Sequence, residues 1–368
     1  MGCEAERHIC QSVSIAFQFQ LIMNVIAQPA FAGRDANPYT WLLYKPMTAH
    51  VTDFSYRRAL SARYDILHIH WPEWELNAFR SVAKVGARLR LKLLLIDALR
   101  ARGTKIVWTV HNLRAHEGLH PRMEQWFWFA FTKRLDGYIA LSDSGRLAAR
   151  ERFPNLERAP GFVIPHGHYR GEYQVDANVD ARKALGIPSR TKVIVYFGQI
   201  RDYKNVPVLI RAFRRMQGED TVLCIAGRPN PESLGEELRK EAAGDARIQL
   251  HLRNIPKDQV QLFFWAADLV VLPYRDILNS GTALLALSFN RPILVPCCGA
   301  MGELCSSVGP EWVRTYQGEL DTDELECALL WATESPRPQE ATLSGLEWPE
   351  IAGQTLRAYA DIISTGRS

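Results

Sequence analysis

Apolar positions along the chain alternate between two rhythms. Short solid runs at MNVIAQPAF (23–31), YDILHIHWP (64–72), TKIVWTVHN (104–112), GYIALS (137–142) and GFVIPHGHY (161–169) predict strands. Each is too short for a helix and is bounded by polar or glycine positions, which fits a strand covered on both faces. Between them, residues 79–102 carry Val82, Val85, Leu89, Leu93 and Ile96 at helical spacing, and EQWFWFAFTKRL reads as a second helix. Strand, helix, strand in alternation predicts a parallel sheet with helices on both faces.

The pattern then restarts. TKVIVYFGQ (191–199), TVLCIAG (221–227), IQLHLRN (248–254), DLVVLPY (268–274) and PILVP (292–296) predict strands, with NVPVLIRAFRRM, ESLGEELRKEAA, KDQVQLFFWAA and GTALLALSF as the helices between them. The polar stretch 170–190, with Pro188, reads as a linker. The expectation is an α/β chain of two doubly wound, Rossmann-like domains in tandem. Their ligand would sit in the cleft between them, at the carboxyl ends of the strands.

Bulk composition narrows this only slightly. At 368 residues the chain exceeds one ordinary core, and 47% hydrophobic with 23% charged residues is typical of a globular protein. The net charge of +4 permits anionic partners but does not mark a dedicated nucleic-acid binder. Seven cysteines without a C-x-x-C support neither a zinc site nor a redox motif, and free thiols in a reducing compartment are expected. No apolar run is long enough to predict a transmembrane helix. With Glu4 and Glu6 near the start and no clean small-residue cleavage site, no signal peptide is predicted, and residues 1–22 read as an N-terminal extension.

Candidate chemistry collects after the strands. Ser280, Gly281 and Thr282 stand where a loop becomes a helix, with no acid from Ile277 to Pro292. That start suits an anion, or is simply a helix cap. FGQIRDYKN (197–205) adds Arg201 and Lys204 after another strand of the same half. Such a pair suits a diphosphate, or is two solvated loop cations. The first half offers acids and bases: His68, His70 and Glu73; His111, His116 and Glu117; Asp143; His166 and His168. No metal-ligand spacing is present, so no metal is expected. Helix 79–102 carries Arg80, Lys84, Arg88 and Lys92 at four-residue steps, opposed only by Asp97, with an apolar second face. This suits an anionic membrane surface, or an ordinary helix covering a sheet. The aromatic run Trp126, Phe127, Trp128, Phe129 and Phe131 extends that face or belongs to the core.

Taken together, YFGQIRDYKNVPVLIRAF, LCIAGRP, IPKDQVQLFFWAADLVVLPY and SGTALLALSFNRPILVP resemble the nucleotide-sugar-binding domain of GT-B glycosyltransferases. NPYTWLLY, RYDILHIHWPE, TVHNLRAHE, HGHYR and WPEIAGQTLRAY resemble, more narrowly, the bacterial exopolysaccharide mannosyltransferases of the xanthan type. The resemblance implies an acceptor-binding domain over 23–170, a nucleotide-sugar-binding domain over 171–345, and a C-terminal helix within 346–368 packing back across both. It implies mannose transfer from GDP-mannose to a glucuronate on a polyprenyl-diphosphate oligosaccharide, on the inner face of the plasma membrane, with no cofactor. Arg201 and Lys204 then match the donor-diphosphate positions, Ser280, Gly281 and Thr282 the loop that meets the phosphate and sugar, and His111 a histidine facing the donor sugar. The large retaining branch carries two glutamates separated by seven residues; here those positions are Ile277 and Leu285. Their loss implies an inverting enzyme, whose base lies in the first domain: Glu73 first, with Asp143 and Glu117 behind. A UDP-sugar donor, or a non-catalytic sugar-nucleotide scaffold, are the alternatives.

Overall fold

The computed structural model describes residues 23–35, 37–77, 80–115, 118–173 and 179–365; the extension expected at 1–22 lies outside the described residues. Two six-stranded sheets, parallel throughout, form the chain. The first runs β2-β1-β3-β4-β5-β6, with β1 Asn24–Gln28, β2 His50–Asp53, β3 Ile66–Ile69, β4 Lys105–Val110, β5 Gly137–Ala140 and β6 Gly161–Val163. The second runs β12-β11-β10-β7-β8-β9, with β7 Lys192–Phe197, β8 Thr221–Ala226, β9 Ile248–His251, β10 Leu269–Val271, β11 Ile293–Pro296 and β12 Val313–Tyr316. The α/β two-domain architecture expected from the apolar rhythm is present. Two edge strands, β2 and β12, were not expected: HVTD and VRTY mix polar with apolar residues and are only partly buried.

Strand order explains where chemistry gathers. In the first sheet β1 lies between β2 and β3; in the second β7 lies between β8 and β10. At each reversal the loops leaving adjacent strands go to opposite faces and open a crevice at the carboxyl ends. The register Val25 to Ile66 brings the loop after β1 beside the loop after β3. The register Val195 to Val270 does the same for the loops after β7 and β10.

The last helix, Trp348–Ser364, packs into the core of the first sheet through Ile351, Ala352, Ala358, Tyr359 and Ile362. Each large apolar side chain buried this way contributes roughly 1.5–3 kcal/mol. Gly137 makes room for it, because a Cβ there would come within 2.3 Å of Ile362 Cδ1. Trp348 Nε1 donates to the His168 carbonyl at 2.6 Å, and Tyr169 N donates to Ser288 Oγ at 2.8 Å, tying this helix and the second sheet to the same short segment.

The basic stripe of the Val82–Ala101 helix is partly absorbed by the fold. Lys92 is fully buried and donates to the Gln28 side-chain carbonyl, with Glu75 at 3.8 Å, while Arg88 is bound by the Glu75 carboxylate. Among the described residues, no helix is long and apolar enough to cross a membrane.

Candidate active site

At the second crevice three groups converge. Gly198, just past β7, has φ +122°, and a Cβ there would lie 3.1 Å from Thr282 Oγ1 and 3.5 Å from Lys204 Nζ. Gly227, just past β8, closes the same corner: a Cβ there would overlap the Gly198 carbonyl oxygen at 1.9 Å. Both backbones therefore approach each other as only glycine allows. Lys204 ends the 3-10 turn Asp202–Lys204, half-buried, with Nζ 5.2 Å from the Tyr274 ring. Burial holds its pKa below the usual lysine range, which makes an anionic ligand at this position favourable. Arg201 opens the turn, and its Nε donates to Gln199 Oε1 at 3.1 Å.

Helix Gly281–Ser288 begins at this point with no acid in its first turn. Ser280 caps it, its Oγ accepting from Ala283 N at 3.1 Å. The cap reading of Ser280 is thus present, and a cap of this kind takes up one N–H and leaves others at the helix start. The Tyr274 hydroxyl is buried beside Thr282 and Ser280. Ile277 and Leu285 are packed into the second core.

The first crevice faces this start. A Cβ on Gly281 would lie 3.1 Å from Tyr169 Oη and 3.5 Å from His166 Nε2. His166 Nδ1 donates to the Gly167 carbonyl at 2.7 Å, and burial lowers the ring's pKa to about 4. The ring is thus neutral, with a lone pair on Nε2 beside the helix start. The Tyr39 ring sits 4.8 Å from both His166 and His111. His111 stacks on Trp71 at 4.5 Å, and Trp71 on Trp74 at 5.0 Å. Burial also holds His111 well below the usual histidine range. His68 on β3 and His70 just past its end, two apart, are fully buried behind the cleft rather than lining it.

Of the candidate bases, Glu73 lies in the 3-10 turn Pro72–Asn77 and accepts from Asn112 Nδ2 at 2.6 Å. It is 1% exposed, and burial pushes its carboxyl up to about 7. Asp143 is exposed, its carboxylate held by Arg146 at 2.9 Å. The backbone N–H groups of Asp143 and Ser144 donate to Glu303 at 2.9 and 2.7 Å, a contact between the two halves of the chain. Glu117 and His116 lie outside the described residues. Among the described residues, no three His, Cys, Asp or Glu side chains are grouped to hold a metal ion. Sequence reasoning missed Tyr39, Asn112, Tyr274 and Glu303. Each acts through a contact distant in sequence, and only Asn112 stood next to a residue already singled out. The arrangement can neutralise a diphosphate on one side, offer neutral imidazoles on the other, and take up a proton near neutral pH.

Residues 179–295 match the family described as glycosyl transferases group 1. The chain is 34% identical over 333 residues, 89% of each chain, to GDP-mannose:glycolipid 4-beta-D-mannosyltransferase of Xanthomonas campestris pv. campestris. It is 27% identical, over 77% of each chain, to the lipopolysaccharide core biosynthesis mannosyltransferase LpsB of Rhizobium meliloti. Among solved structures, Anabaena HepE in complex with UDP superposes with a TM-score of 0.58 at 14% identity, covering 94% of this chain and 98% of that one. This last likeness concerns the fold alone.

Proposed function

On the premise that this chain belongs to the group 1 glycosyltransferase family and is a mannosyltransferase acting on a glycolipid, we propose that it moves mannose from GDP-mannose to a polyprenyl-diphosphate oligosaccharide. The acceptor sugar is a glucuronate, and the product is a β linkage of an exopolysaccharide precursor. The observation that carries this reading is the convergence of Gly198, Lys204 Nζ, Thr282 Oγ1 and the start of helix Gly281–Ser288, opposed by His111 and His166.

The acceptor hydroxyl oxygen forms a bond to the anomeric carbon as the bond from that carbon to the phosphate oxygen breaks. The electron pair leaves on GDP, whose charge Lys204, Arg201, Thr282 and the helix start stabilise. The acceptor proton passes to the Glu73 carboxylate. Acceptor entry exchanges the Asn112 amide for the acceptor hydroxyl as the partner of that carboxylate. His111 holds the donor sugar from the first half. Inversion is favoured because hydrophobic Ile277 and Leu285 stand where the retaining branch has its acids. Labelled GDP-mannose, incubated with a lipid-linked oligosaccharide ending in glucuronate, gives a lipid-soluble product cleaved by β-mannosidase. A product cleaved by α-mannosidase, or transfer only from a UDP-sugar, overturns the reading.

The acceptor's lipid also calls for a surface, and we place it on the first half, facing the cytoplasm. Val82, Leu119, Trp126 and Phe129 are exposed together. Val82, Leu119 and Trp126 border a groove of about 660 Å³ between helix Val82–Ala101 and helix Pro121–Thr132, lined also by Arg90 and Arg122, and Phe129 lies one turn further along the second helix. Aromatic and apolar side chains ringed by arginine suit an anionic bilayer surface. Flotation with phosphatidylglycerol vesicles at low salt retains the wild type and loses a Trp126→Ser, Phe129→Ser double variant; equal flotation of both sinks the assignment.

A further inference from the structure

Behind His111 runs a buried chain of hydrogen bonds that the transfer steps do not use. His111 Nε2 lies 3.2 Å from His70 Nδ1. His70 Nε2 lies 2.7 Å from the Tyr44 hydroxyl, which lies 2.8 Å from His68 Nδ1. His68 Nδ1 is also 2.5 Å from the hydroxyl of Tyr359, and His68 Nε2 is 2.7 Å from Thr109 Oγ1. Tyr359 arrives from the C-terminal helix, 291 residues away in sequence. His68, His70, Tyr44 and Tyr359 are all buried, and the three imidazoles are held neutral by burial.

Each neutral ring carries one proton and one lone pair, so the chain has a direction. His68 Nδ1 has a single lone pair and two phenols within reach, and Tyr359 is the nearer. If Tyr359 donates there, the Tyr44 proton turns to His70 Nε2. If His68 instead carries its proton on Nδ1, both phenols accept from it, and Tyr44 again donates to His70. In both of these arrangements His70 is protonated on Nδ1 and donates to His111 Nε2; the reverse order needs Tyr44 to donate to His68 or Tyr359 in place of His70. His111 then carries its own proton on Nδ1. Without the Tyr359 hydroxyl, the His68 lone pair is free for Tyr44. His70 can then present Nε2–H to the Tyr44 oxygen, and the order reverses through to His111.

We propose that Tyr359 is a positioning residue: through Tyr44, His68 and His70 it fixes the proton of His111 on Nδ1, leaving Nε2 committed to His70. The donor sugar therefore meets an imidazole of set polarity, and the C-terminal helix controls the cleft through hydrogen bonds as well as by packing. The role of His111 toward the sugar rests on the function proposed above; its tautomer does not, and is read without any substrate.

The test is nitrogen-15 spectroscopy of histidine-labelled protein, with His111 assigned from a His111→Gln variant. In the full-length wild type, the His111 signals should show a protonated Nδ1 and an unprotonated Nε2. In Tyr359→Phe they should shift toward a mixture of both tautomers, and Tyr44→Phe, which cuts the chain midway, should do the same. With GDP-mannose, Tyr359→Phe should lower kcat about tenfold while donor affinity stays within about twofold, the pattern for an interaction made in the transition state. A wild-type His111 protonated on Nε2, or identical tautomers in the wild type and both variants, overturns the proposal even if the variants lose activity. A tautomer shift with unchanged kcat upholds the relay and removes His111 from the proposed sugar site.

Discussion

Both sheets are six-stranded and parallel and reverse their strand order once, yet the tips of their strands are chemically opposite. In the second sheet the crevice at the order reversal is made of glycine backbone, a hydroxyl, a helix start and the half-buried ammonium of Lys204. In the first, the equivalent crevice holds neutral imidazoles, indoles and a buried carboxyl raised to about 7. The same fold event gives one site that attracts charge and one that suppresses it. A diphosphate needs fixed positive dipoles that cost nothing to reorganise. A hydroxyl to be deprotonated needs a base whose pKa lies near working pH. The proposed reaction is divided between the halves: leaving group at the second sheet, nucleophile at the first.

The division is tested most severely at Glu73. Glu73→Gln keeps the shape and removes the base, so kcat should fall on the order of 100- to 10,000-fold, with donor affinity unchanged by titration calorimetry. Loss of donor binding in that variant would erase the distinction between the halves. The next largest effect belongs to Lys204→Ala, which should weaken GDP-mannose binding about ten- to hundredfold, the value of a hydrogen bond to a charged group.

pH sharpens the contrast. Transfer should rise as pH passes through about 7, where Glu73 ionises. Stability should move the other way. The folded-state pKa of about 7 exceeds the ordinary 4.5, so the folded state binds the extra proton. Its contribution is full below about 4.5 and is lost as pH rises through about 7. Urea midpoints between those values should fall with pH in the wild type, and fall less in Glu73→Gln.

Smaller effects follow at the boundary. Gly281→Ala places a methyl 3.1 Å from Tyr169 Oη and 3.5 Å from His166 Nε2, where the halves meet. Donor affinity should drop a few-fold, with folding intact by circular dichroism. Asp143→Asn should change kcat by less than about twofold, because that carboxylate is exposed and held only as a surface pair. A large loss there would shift the base from Glu73 to Asp143.

Most of the fold was legible because a parallel strand buried on both faces leaves a solid apolar run. Edge strands HVTD and VRTY leave none, so β2 and β12 were hidden. The gathering of Lys204, Ser280 and Thr282 was legible as well, since each lies in or just past a loop that leaves the carboxyl end of a strand of the same sheet. The neutral half was not. His68 and His70 looked like cleft residues in HIHWP, and nothing local says that Tyr44 and Tyr359 will cover them. The cationic stripe departs from expectation at one position for a related reason: Lys92 is turned inward by Gln28 and Glu75, which lie on other elements.

In the proposed division the second sheet's crevice holds the donor and the first supplies the base. Calorimetric titration of GDP-mannose into the wild type, Lys204→Ala and Glu73→Gln separates the two roles. Binding by the wild type, a much weaker Kd for Lys204→Ala and an unaltered Kd for Glu73→Gln are expected. Equal affinity in the wild type and Lys204→Ala, or a Kd lost with Glu73 rather than with Lys204, would contradict that division.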